Sequence, residues 1–160
     1  MNIYMKRAIE LAEQAACEGE VPVGAVIVRK TTGEIVGEGR NMRENKKNAL
    51  AHAEIIAIDM ACRTLGGWRL PECEIYVTLE PCPMCCGAII NARIDNVIFG
   101  AYDLKSGSVE SVQKMFELPY NYRPQVTSGI MEKECSDILS LFFRNLRKKK
   151  KFLKNFSKST

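Results

Sequence analysis

Over residues 3–17 the apolar positions recur at helical spacing. Met5, Ala8, Ile9, Ala12 and Ala16 form one stripe and predict an amphipathic helix that ends at Glu18-Gly19-Glu20. The period then shortens. VPVGAVIVRK (21–30) and EIVGEGRN (34–41) are rich in β-branched residues and separated by Thr31-Thr32-Gly33, which predicts a two-stranded hairpin. Residues 42–50 are polar and predict a loop. A second helix is expected from Ala51 to Leu65, stopped by Gly66-Gly67, with EIYVTL (74–79) as the next strand. Pro83 suits the first turn of a third helix, which places Cys82 near its cap. NVIFGAY (96–102) predicts a fourth strand and QVTSG (125–129) a weaker fifth. Cys135, Ile138, Leu139, Phe142 and Leu146 set the apolar stripe of a closing helix over 131–147.

This order predicts an α/β fold with a mixed sheet covered by helices on both faces. No internal repeat, second domain or linker is visible, so residues 1–147 read as one domain followed by a basic tail over 148–160. The turns leading into the second and third helices are expected at one rim of the sheet, where open α/β sheets bind their ligands.

Composition adds bounds. A chain of 160 residues, 46% hydrophobic and 26% charged, suits one globular domain whose core needs no disulfide staples. MNIYMKRAIELAEQAA carries charges throughout, which argues against a secretory signal or a membrane span and predicts a cytoplasmic protein with no membrane partner. Seven cysteines in a reducing compartment point to buried thiols, metal ligands or catalytic thiols. The net charge of +4 conceals an asymmetry: residues 144–160 hold eight Lys or Arg and no acid. Such a run favours a polyanionic partner through phosphate contacts, a solvated terminus being the plainer reading.

The chemistry concentrates in TLEPCPMCCGAII (78–90), with Cys82, Cys85 and Cys86 within five positions. Cys82 and Cys85, three apart, project to one side of a helical turn, while Cys86 points about 100° away and is expected to pack inward. The single histidine, His52, stands at the start of the second helix in AHAEIIAI, two residues before Glu54. One imidazole and two thiolates, each at a helix start, suit zinc with a fourth position open to water, and helix N-termini favour the thiolate form. Glu54, beside the ion, is placed to move a proton. A Cys-x-x-Cys redox pair would account for Cys82 and Cys85 but leave His52 and Glu54 unexplained. His-x-Glu followed by Pro-Cys-x-x-Cys matches the established signature of zinc nucleobase deaminases.

Through EVPVGAVIV, GEGRN, AHAEIIAI, YVTLEPCPMCCGAI, RIDNVIFGAYDLKSG, GIMEKEC and LFFRNLR, nearly the whole chain resembles the bacterial tRNA-specific adenosine deaminases of the cytidine deaminase-like superfamily. The resemblance implies a three-layer α-β-α fold around a mixed five-stranded sheet. It implies one Zn2+ per subunit on His52, Cys82 and Cys85, Glu54 as proton shuttle, and hydrolytic conversion of adenosine to inosine at the wobble position of tRNA. It also implies that Asn41 orients the purine, that Asp103 lies near the target nucleotide and its ribose, and that Phe143, Arg144 and Arg147 contact the anticodon loop, within a homodimer. The chain departs from the family pattern at Arg40, at Asn48-Ala49-Leu50 and at Cys86. Two other readings remain: a deaminase of a free base or nucleoside such as guanine or cytosine, and a non-catalytic zinc-stabilised RNA-binding module with a closed four-ligand site.

Overall fold

The computed structural model describes residues 1–159; Thr160, the last residue of the predicted basic tail, lies outside them. Helix α1 (Ile3–Cys17) begins where the Asn2 side chain accepts hydrogen bonds from the Tyr4 and Met5 amides. Strands β1 (Gly24–Arg29) and β2 (Glu34–Arg40) form the expected hairpin, with Gly33 at φ 73° in its turn. The region predicted as loop contains one helical turn, α2 (Arg43–Lys46). It has no buried residue and ends at Lys47 with φ 48°, so it carries no apolar period to read. Helix α3 (Ala53–Leu65) starts two residues later than predicted, because His52 is extended (φ −78°, ψ 150°) and serves as its N-cap. Strand β3 (Cys73–Leu79), helix α4 (Pro83–Ala92), strand β4 (Asn96–Ala101), a 3-10 turn at Met115–Glu117 and strand β5 (Gln125–Thr127) follow. The closing helix α5 spans Glu132–Lys158 and passes residue 147 without a break.

The five strands form one mixed sheet in the order β2-β1-β3-β4-β5. β1 is antiparallel to both β2 and β3, while β3, β4 and β5 are mutually parallel neighbours. Strands β2, β3 and β4 therefore run the same way and release their chains at one rim. Asn41 follows β2, Cys82 follows β3 and Asp103 follows β4.

Alternation of side chains along the strands separates two cores. Ala25, Ile27, Ile75, Val77, Val97 and Phe99 face α3 and α4. Val26, Val28, Tyr76 and Ile98 face the other way, onto Met5, Ala8 and Leu11 of α1 and Cys135 of α5. This is the three-layer arrangement expected. In α1 the fully buried stripe includes Leu11 and Ala15, whereas Ile9 and Ala16 lie only partly buried. Helix α3 rests directly on β2: a Cβ at Gly39 would overlap the Ala53 carbonyl, so only glycine permits this approach at the first turn of the helix. Among the described residues no helix is long and apolar enough to cross a membrane.

Candidate active site

His52 and Cys82 are the N-caps of α3 and α4, and Pro83 occupies the first turn of α4. The His52 Nδ1 lies 3.7 Å from the Cys82 Sγ and 3.6 Å from the Cys85 Sγ. Ligand atoms of the three residues all lie within 4.8 Å of one another. With Zn–N near 2.0 Å and Zn–S near 2.3 Å, two corners of a tetrahedron around one ion stand about 3.6 Å apart. The observed separations fit that geometry, and an imidazole with two sulfurs is the donor set that zinc prefers. Among the described residues no fourth His, Cys, Asp or Glu joins the cluster, which matches a centre with one corner free and not a closed four-ligand site.

The titration behaviour of the cluster follows from its crowding. The hydrogen bond from Cys85, acting against burial and helped by His52, brings the Cys82 thiol down to about 4. The same hydrogen bond, with burial, pushes Cys85 up. Hydrogen bonding to Cys82 raises the proton affinity of His52. Glu54 is 4% exposed. Burial pushes its carboxyl up to about 7, opposed by a hydrogen bond from its own backbone N–H.

His52, Glu54 and Cys82 line a cavity of about 440 Å³ together with Asn41, Asp103 and Phe143, and Cys85 lies buried behind them. Asn41 is buried, and its Oδ1 accepts from the Ala53 amide at 3.0 Å, fastening the end of β2 to the first turn of α3. Its amide donors have no partner among the described residues and are left to the cavity. The Asp103 carboxylate accepts from the Lys105 and Ser106 amides and from the Ser106 hydroxyl, which folds the loop after β4 into a turn. Arg144 and Arg147 do not line this cavity. They lie with Lys105 and Phe143 around an adjoining hollow, so Phe143 and Lys105 are shared between the two. Cys86 is fully buried and donates to the Pro81 carbonyl, away from the cluster, with burial pushing its thiol up. Arg40 makes a two-pronged ion pair with Glu18 on the surface.

Sequence reasoning passed over Glu80, which is 1% exposed and lines the same cavity. Its Oε1 accepts from the amides of Val109, Glu110 and Ser111, and its Oε2 from the Asp103 amide and the Ser111 hydroxyl. Burial alone would raise its pKa, but these donors override it and hold the carboxyl below its ordinary value. The one available signal was an acid immediately before Pro-Cys, at the end of a strand with buried residues on both faces.

A three-layer sheet whose two helix starts present an imidazole and two sulfurs defines the class of zinc-binding deaminases. The family model described as cytidine and deoxycytidylate deaminase zinc-binding region matches residues 2–101. A Bacillus subtilis protein named tRNA-specific adenosine deaminase is 48% identical over 151 residues, covering 94% of this chain and 92% of that one. A Haemophilus influenzae protein of the same name is 44% identical over 156 residues, covering 97% and 90%. A solved structure from work on A-to-I editing by tRNA:A34 deaminases superposes with a TM-score of 0.82 at 43% identity, covering 85% of this chain and 98% of that one. The chain belongs to the family of tRNA-specific adenosine deaminases.

Proposed function

We propose that this protein hydrolyses adenosine to inosine at the wobble position of tRNA, as a cytoplasmic homodimer with one zinc ion per subunit. One observation carries the reading. A His-Cys-Cys donor triangle and a buried carboxylate meet at one cavity, in a chain of this family.

His52, Cys82 and Cys85 are the residues that hold the ion. Bound there, zinc supplies the Lewis acidity that brings the pKa of water down to about 7. Glu54 takes a proton from the attacking water and gives it to N1 of adenine as C6 is attacked; it then takes the second proton, from the new C6 hydroxyl, and gives it to the amine as the C6–N bond breaks and the C6 carbonyl forms. Water enters, ammonia leaves, and Glu54 returns to its starting state. Its burial suits this double duty, since desolvation raises the proton affinity of the carboxyl above that of a solvated glutamate. The unengaged amide of Asn41 orients the purine, and Asp103 holds the loop beside the ribose of the target nucleotide. Phe143 offers a stacking face at the cavity mouth, and Arg144 and Arg147 meet phosphates of the anticodon loop. A base in an unpaired loop turns outward at lower cost than one in a duplex. Deamination of a free base such as guanine or cytosine would leave the arginines and the basic end of α5 without a role.

The test is inosine mapping in tRNA treated with zinc-loaded protein, together with ammonia release from an anticodon stem-loop, guanine, cytosine and adenosine. The expected result is inosine at the wobble position and turnover on the stem-loop far above that on the small substrates. Faster turnover of guanine or cytosine than of the stem-loop would refute the proposal.

A further inference from the structure

The loop from Asp103 to Ser111 supplies one wall of the cavity through Asp103, Leu104, Lys105 and Ser106. It contains no regular secondary structure of its own. A segment of this kind needs its backbone amides satisfied from elsewhere, or it loosens. Four of its amide groups, those of Asp103, Val109, Glu110 and Ser111, donate to a single side chain, the buried carboxylate of Glu80. The Ser111 hydroxyl adds a fifth bond. Glu80 is itself anchored, its amide donating to the Ala101 carbonyl at 2.8 Å, and the next residue, Pro81, accepts from the Ser108 amide at 2.9 Å. Gly107 passes so close to the carboxylate that a Cβ there would overlap it. Two positions beyond Glu80 stands Cys82, one of the three cluster residues.

We propose that Glu80 is a positioning residue that latches the 103–111 loop to the strand end bearing Cys82, so that the substrate wall and the metal end of the cavity hold one fixed separation. The inference rests on the deaminase reading only for its kinetic consequence; the latch itself is a property of the protein without substrate. A carboxylate suits this duty because it accepts several hydrogen bonds and donates none, and charge-assisted bonds are the stronger kind. An amide in its place would turn one acceptor into a donor facing the Asp103 amide.

The test compares zinc-loaded wild type with Glu80→Gln, Ser111→Ala and the double variant. Amide hydrogen exchange, zinc content, and kcat and KM on an anticodon stem-loop are measured for each. For Glu80→Gln the expected result is one zinc per subunit, protection lost over 103–111 alone, kcat near wild type, and KM raised about tenfold, the equivalent of one lost charge-assisted hydrogen bond. Ser111→Ala moves the same quantities less, and the double variant is no worse than Glu80→Gln, because the two residues share a bond. Retained protection over 103–111 in both single variants would overturn the proposal. So would a fall in kcat at unchanged KM, which would put Glu80 in the chemistry. Should Glu80→Gln not fold, exchange in Ser111→Ala still decides. Wild type that makes no inosine while the variants lose loop protection would remove the tRNA reading and leave the latch standing.

Discussion

At the inner end of the cavity, His52, Cys82 and Cys85 come from two helix starts, lie within 4.8 Å of one another, and stand beside a carboxylate that is 4% exposed. At its mouth, Phe143 comes from the exposed side of α5 and Asp103 from a loop, and Arg144 and Arg147 stand beyond them around the adjoining hollow. The inner end is a fixed set of donors whose spacing sets the chemistry. On the proposed function, the mouth is a surface of charge and aromatic area whose separate RNA contacts would each contribute a little. Damage at the first end should be nearly all-or-none, and damage at the second graded and dependent on salt.

The largest effect expected is that of Glu54→Ala. Zinc content stays at one per subunit, while kcat on the stem-loop falls by roughly 10³-fold or more, because one group serves as both base and acid. Single-turnover kinetics with metal analysis measures both; turnover near wild type would remove Glu54 from the mechanism. An intermediate effect is expected for Arg144→Ala with Arg147→Ala. KM rises about tenfold with kcat little changed, and the slope of log affinity against log salt becomes shallower by about 1.5, corresponding to two lost phosphate contacts. A salt slope identical to wild type would detach these arginines from the RNA. The smallest effect is expected for Cys86→Ala, which removes a buried sulfur hydrogen-bonded to the Pro81 carbonyl and costs about 1 kcal/mol of stability. Zinc content and kcat stay at the wild-type level, and loss of the ion in this variant would show that the boundary of the donor set has been drawn in the wrong place.

The same contrast governs how much could be read from the sequence. The inner end was legible because its geometry is local. A lone histidine before one helix and a Pro-Cys-x-x-Cys at the start of another need only the sheet to bring two helix starts together. Strands β1, β3 and β4 were legible from their short apolar runs, which are buried where polar residues would be costly, whereas β5 offers only the half-buried Val126 and gave a weaker signal. Glu80 was not legible, because an acid before a proline looks the same whether it faces solvent or collects five donors from residues 23 to 31 positions away. Helix α2 has no buried face to announce it. The reach of α5 was underestimated because the core stripe ends at Leu146. Beyond it Phe152 and Phe156 keep helical spacing and stack on each other, but both are exposed. Periodicity without burial does not mark where a helix stops.

Both His52 and Cys82 are N-caps without a side-chain cap of their own, so two peptide ladders begin at the edge of one small volume. Each contributes roughly half a positive charge from its first amides. That contribution belongs to the main chain. It titrates at no pH, and no single side-chain replacement deletes it, so part of the pull of this corner on a thiolate at Cys82 is carried by the architecture and outlasts changes in the surface charges around it.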